Sequence, residues 1–100
     1  MLFRSDAVAT PELRIMLPEQ EHAAFMHKLQ AQAQFPDAVL TDIDGVRVDF
    51  QDGFGLIRPS NTTPCLIARF EAADDQGLAR IQALFRELLS KVGPDLKLPF

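Results

Sequence analysis

Val46-Arg47-Val48-Asp49-Phe50-Gln51-Asp52-Gly53-Phe54-Gly55-Leu56-Ile57-Arg58 is the stretch that decides the fold. Val46, Val48 and Phe50 alternate with Arg47 and Asp49, so a strand here has one apolar face and one charged face. Gln51-Asp52-Gly53 is a hairpin signal, and Phe54 to Arg58 returns antiparallel to the first run. Gly55 brings no side chain to the return strand and marks a bulge or a close approach by a neighbour. After a loop, Cys65 to Ala72 supplies a further apolar run for the same sheet.

On the N-terminal side, Leu13, Ile15 and Leu17 alternate with Arg14 and Met16, which predicts a short strand with one buried face. Pro18 suits the first turn of a helix, and Glu19 and Glu21 favour its positive end. His22, Met26, Leu29 and Ala33 recur at helical spacing with Phe25 beside them. The helix must stop before Phe35-Pro36, because the residue preceding a proline is pushed out of the helical region. Ala38 to Thr41 is a short extended run, punctuated by Asp44-Gly45. On the C-terminal side, Asp74 or Asp75 caps a second helix. Its apolar stripe runs through Leu78, Ile81, Leu84, Phe85, Leu88, Leu89 and Val92, with Arg80, Arg86, Glu87 and Lys91 turned away. Gly93-Pro94 ends it, and the apolar residues of the tail to Phe100 can pin that tail down. Residues 1–9 show no period and read as a linker, which leaves residues 10–100 as the domain. The order strand, helix, three strands, helix predicts an α+β fold. It is a four-stranded, mainly antiparallel sheet that carries both helices on one face.

The chain has 100 residues, 47% of them apolar, enough for one domain with a small core. A net charge of −4 with no basic face argues against a nucleic-acid partner. No run reaches membrane-spanning length, and the N-terminus lacks the apolar core of a signal peptide, so a cytoplasmic location is expected. The single cysteine, Cys65, excludes a disulfide within the chain and a multi-cysteine zinc site. Asn61-Thr62-Thr63 fits a glycosylation sequon, read as chance without a secretion signal.

The loop Arg58-Pro59-Ser60-Asn61-Thr62-Thr63-Pro64 offers one guanidinium, three hydroxyls, one side-chain amide and no acid. Arg supplies a planar charged fork, the hydroxyls donate, and a tight turn can aim N–H groups at one anion, so the loop suits a phosphate. Ser, Asn, Thr and Pro also make up ordinary surface turns, and that reading competes. Three other candidates are weaker. Asp42-Ile43-Asp44-Gly45 after an apolar run looks like the first motif of the haloacid dehalogenase phosphatases. That fold needs several crossover helices after the motif, and only one follows here. Asp42, Asp44, Asp49 and Asp52 lack the alternate spacing and distal Glu of a calcium loop. His22 and His27 are five apart, off a common helix face, and read as surface or boundary residues. Cys65 reads as a small core residue, and Arg69 with Glu71 as a structural ion pair. No catalytic group and no metal site stand out.

Asp44-Gly45-Val46-Arg47-Val48-Asp49, Gly53 to Pro64 and Arg69-Phe70-Glu71-Ala72 together resemble the C-terminal, fourth domain of the alpha-D-phosphohexomutases. Within that family they are closest to the bacterial phosphomannomutase/phosphoglucomutase branch. Thr10-Pro11-Glu12 and Leu98-Pro99-Phe100 resemble the two ends of that domain, so the likeness spans residues 10–100. The resemblance implies a TATA-binding-protein-like fold and a parent enzyme with three further domains. The parent isomerises hexose 1- and 6-phosphates through a phosphoserine and a hexose bisphosphate, with Mg2+ held in another domain. This chain itself is implied to bind no cofactor. The fourth domain clamps the phosphate that is not reacting and helps close the cleft; Arg58, Ser60, Asn61, Thr62 and Thr63 fall at its phosphate-contacting positions. Phosphoglucosamine mutases tend to carry Gly-Thr-Glu-Pro where this chain has Asn61-Thr62-Thr63-Pro64, which favours a mannose/glucose enzyme. A phosphosugar and the other three domains are the implied partners, residues 1–9 the implied hinge, and the 100 residues alone are expected to be inactive. The alternative is a stand-alone phosphate-binding or interaction module with no catalytic parent.

Overall fold

The computed structural model describes the chain except residues 1–6, 34, 36–37, 42–44 and 61. Six strands and two helices follow in order: β1 (Val8–Ala9), β2 (Leu13–Met16), α1 (His22–Gln32), β3 (Val39–Thr41), β4 (Val46–Phe50), β5 (Gly53–Pro59), β6 (Cys65–Ala72) and α2 (Asp75–Val92). All pairings are antiparallel, and the sheet order is β1-β6-β5-β4-β3, with β2 also on β6. β1 and β2 lie end to end along one edge of β6: Val8 pairs with Ala72, while Leu13 to Met16 pair with Ala68 to Cys65. Thr10 spans the gap between them. Its N–H donates to the Phe70 carbonyl at 2.9 Å, and its Oγ1 accepts from the Phe70 N–H at 3.2 Å.

The fold class is the expected one, but the sheet has six strands where the alternation predicts four. Val8–Ala9 falls in the stretch read as a lead-in, and Val39–Thr41 is the extended run at the far edge. Two- and three-residue strands are too short to show a period, so pairing is what reveals β1 and what turns the extended run of β3 into a strand of the sheet.

The hairpin closes where the sequence places it, with Phe50 opposite Gly53 and a two-residue turn between them. The Ala73 N–H donates to the Asp52 carbonyl, and Arg80 of α2 pairs with the Asp52 carboxylate, so the turn is held from two sides. Along β6, Leu66, Ala68, Phe70 and Ala72 face the helices. They join Ile15, Val46, Val48 and Ile57 from the other strands, Phe25, Met26 and Leu29 from α1, and Ile81, Phe85, Leu88 and Leu89 from α2. Gly55 marks a close approach: the Phe85 ring sits where a side chain at position 55 would begin. Asp74 caps α2 by accepting from the Gly77 N–H at 2.8 Å, and Gly93 ends it. The tail is pinned, as its apolar residues allow. Phe100 packs edge-on against Phe70 with ring centres 4.8 Å apart, and its carbonyl accepts from Arg86 Nε at 3.0 Å.

The opposite face of the sheet carries the charged residues of the alternation. Arg47 grips Asp49 with Nε and Nη2 at 3.0–3.2 Å and lies over the Phe54 ring at 4.2 Å. Arg69 and Glu71 share this face, but no ion pair joins them among the described residues; Arg47 pairs with Asp49 instead. Arg14 and Arg58 lie on the same face, at the end of the sheet where the candidate site forms.

Candidate functional site

Register builds the site. Ile67 of β6 pairs with Arg14 of β2 on one side and with Arg58 of β5 on the other. Two guanidinium-bearing residues therefore flank one apolar residue on the sheet face away from the helices. The chain leaves β5 at Pro59 and turns back into β6 at Cys65. The Ser60 N–H donates to the Cys65 carbonyl at 3.0 Å, and the Cys65 N–H to the Thr63 carbonyl at 2.8 Å. A bond from the Leu17 N–H to the Pro64 carbonyl at 3.1 Å ties the loop to the end of β2.

Inside the loop the donors converge on one oxygen. Ser60 Oγ accepts from the N–H groups of Thr62 at 3.2 Å and Thr63 at 3.3 Å. The hydroxyls of Thr63 and Thr62 lie 3.0 and 3.5 Å from the same atom. The bonds from the two N–H groups lie at the long end of the N–H···O range. Glu12, Arg14, Arg58, Ser60, Thr62, Thr63 and Ile67 line a cleft of about 280 Å³. Arg58 Nη2 lies 3.7 Å from Glu12 Oε2 across it. Arg58 also borders a second cleft, of about 740 Å³, which His22, Met26, Gln30 and Gly45 line on the α1 side.

Of the residues the sequence singles out, Arg58, Ser60, Thr62 and Thr63 meet in one cleft, and Asn61 lies outside the described residues. Glu12 and Arg14 were not foreseen. Alternation puts Arg14 opposite Leu13 and Ile15, but only the β2–β6 register brings it beside Arg58. Cys65 is fully buried, with its sulfur 3.2 Å from Thr63 Oγ1, and serves as packing. His22 corrects the expectation for it: it is buried, and its Nε2–H donates to the Leu17 carbonyl at 2.9 Å. His27 is exposed. Asp42 and Asp44, the acids of the phosphatase-like motif, lie outside the described residues. Among the described residues no three His, Cys, Asp or Glu side chains gather to hold a metal ion, and no helix is long and apolar enough to cross a membrane.

An antiparallel sheet backed by two helices, with a cleft at one end lined by two arginines, three hydroxyl side chains, Glu12 and Ile67, defines a small α+β domain. Residues 12–88 match the family model for the phosphoglucomutase/phosphomannomutase C-terminal domain, and the chain belongs to that family. It is 50% identical over 93 residues to the phosphomannomutase/phosphoglucomutase of Pseudomonas syringae pv. tomato, covering 93% of this chain and 20% of that protein. It is 45% identical over 98 residues to the Pseudomonas aeruginosa protein of the same name, covering 98% of this chain and 21% of that one. A crystal structure of a phosphoglucomutase/phosphomannomutase family protein from Burkholderia thailandensis superposes with a TM-score of 0.83 at 47% identity, over 94% of this chain and 19% of that one. The chain thus spans about a fifth of the length of these relatives.

Proposed function

We propose that the chain acts as the phosphate clamp of a phosphohexomutase. It holds the non-reacting phosphate of a hexose 1- or 6-phosphate, and of the bisphosphate intermediate, while the other phosphate is transferred in other domains. The observation that carries this reading is the convergence of Arg58, Ser60, Thr62 and Thr63 on one cleft, a charged fork beside three hydroxyls. A mutase must accept the sugar in two orientations, so its remote clamp has to read phosphate and little of the sugar. The lining supplies two guanidinium groups and three hydroxyls as donors beside one acid, Glu12, and one apolar residue, Ile67, and this excess of donors fits that task.

Holding the remote phosphate orients the substrate, and the binding energy can draw the domains together and exclude water from the phosphoryl group in transit. The hinge for such a motion is proposed within residues 1–9, of which Val8 and Ala9 pair with Ala72 and Glu71 at the edge of the sheet. Titration of the isotope-labelled chain with glucose 1-phosphate tests the site. Amide shifts confined to residues 58–63 are the expected result, and Arg58→Ala should weaken binding by about 1.5–3 kcal/mol, the worth of a hydrogen bond to a charged group. A folded chain with no shifts there at high ligand means that the site needs the other domains or that the loop is only a turn, and Arg58→Ala in the full-length enzyme then decides: unchanged kinetics refute the clamp.

A further inference from the structure

Arg58 already has a counter-charge. The Glu12 carboxylate sits 3.7 Å from its Nη2, inside the same cleft. Seen from a distance the two charges offset each other, so Arg58 attracts an anion only at close range. The second guanidinium of the cleft, that of Arg14, is not offset in this way: among the described residues it makes no ion pair. Arg14 is exposed and stands on β2, outside the β5–β6 loop, across Ile67 from Arg58. Two strand spacings, about 10 Å, separate the two backbones, and two long side chains can close over Ile67 from opposite sides. Among the described residues no other cation lines the cleft.

We propose that Arg14 supplies the net positive charge of this cleft, and that it draws the anionic substrate in and holds it from the side opposite the loop. This rests on the phosphate-clamp reading above and adds to it a residue from a separate strand. The chain carries a net charge of −4, so its overall field repels an anion. Arg14, Arg58 and Glu12 together leave the cleft with one positive charge. Without Arg14 that sum is zero. The loop then has its hydroxyls and a guanidinium shared with Glu12, which act at contact distance and exert no pull beyond it. A charge that acts from an exposed position is screened by salt, whereas one that acts by shape is not.

The test titrates the unmodified chain, Arg14→Gln and Arg14→Lys with glucose 1-phosphate at low and at high ionic strength. The amides of residues 58–63 are the readout, and the rest of the spectrum is the folding control. At low salt Arg14→Gln should bind about three- to tenfold more weakly, the effect of removing one exposed charge from a doubly charged ligand. Its affinity should depend less on salt, so that the gap to the unmodified chain narrows at high salt. Arg14→Lys, which keeps the charge, should retain most of the affinity. Adding Glu12→Gln to Arg14→Gln brings the cleft back to one positive charge and should recover much of the loss. If Arg14→Gln binds like the unmodified chain at both salt levels, the role of Arg14 is overturned while the clamp stands. A loss that is the same at both salt levels, or that Arg14→Lys shares in full, also overturns it, because the residue then acts by shape. A folded chain that answers glucose 1-phosphate at neither salt level overturns the pull of Arg14, which belongs to this chain alone; the clamp is then decided separately by Arg58→Ala in the full-length enzyme.

Discussion

His22 lies on the inner side of α1 with Phe25, Met26 and Leu29, and its Nε2–H donates to the carbonyl of Leu17, five residues back. The bond fastens the start of the helix to the end of β2, across Pro18 and a single 3-10 turn at Glu19–Glu21. Helical spacing already places His22 on the apolar stripe. Its partner could not be read, because the acceptor is a backbone carbonyl, that of Leu17, whose direction is set by the turn between β2 and α1 and not by side-chain pattern. Replacing His22 with Leu keeps the apolar volume but leaves the Leu17 carbonyl without its donor. The expected cost is about 1–3 kcal/mol in a denaturant melt, and His22→Gln, which restores a donor, should recover part of it. Equal stability of His22→Leu and the unmodified chain would show that the bond contributes nothing.

α2 and the β4–β5 hairpin meet at Gly55 and Phe85. The Phe85 ring is fully buried, fills the space over Gly55, and lies 5.3 Å from the Phe70 ring and 5.7 Å from the Phe35 ring, centre to centre. With aromatic neighbours on two sides it has little room to retreat. Gly55→Ala should therefore destabilise the domain by about 1–3 kcal/mol through overpacking, read as a lower midpoint of chemical unfolding. An unchanged midpoint would mean that the ring shifts freely. At this scale the sequence is informative where a period is long enough to count: eighteen residues of α2, five of β4, the hairpin turn, and the glycine that has to stay bare. It is uninformative for β1, whose two residues carry no pattern, and shows β3 only as an extended run without its place in the sheet. It is also silent on register, which sets Arg14 and Arg58 on either side of Ile67 and so brings both to one cleft.

For the molecule as a whole, the cleft joins distant parts of the chain. Arg14 comes from β2 and Glu12 from the residue just before it, whereas Arg58 comes from the end of β5 and Ser60, Thr62 and Thr63 from the loop after it. The loop half of the cleft was legible, because its chemistry is contiguous and the family likeness adds weight to it. The β2 half was not, because it depends on topology alone. The overall charge of −4 likewise says nothing about this spot, where two arginines outnumber one acid.

The two halves also differ in how firmly they are seated. β5 and β6 have a partner strand on both sides, whereas β2 is four residues at an edge, separated from β1 by a gap that Thr10 bridges. Short edge elements open locally at a lower free energy than the interior of a sheet. In deuterated water, the amides of β2 bonded to β6 should exchange well before those of β5 and β6, which should wait for global unfolding. Uniform rates across the three strands would count against this. Each such opening withdraws Glu12 and Arg14 together and leaves Arg58 with its loop in place. Solvent-exchange protection of β2 then becomes a gauge of occupancy: an anion that engages both strands slows that exchange, and one held by the loop alone leaves it untouched.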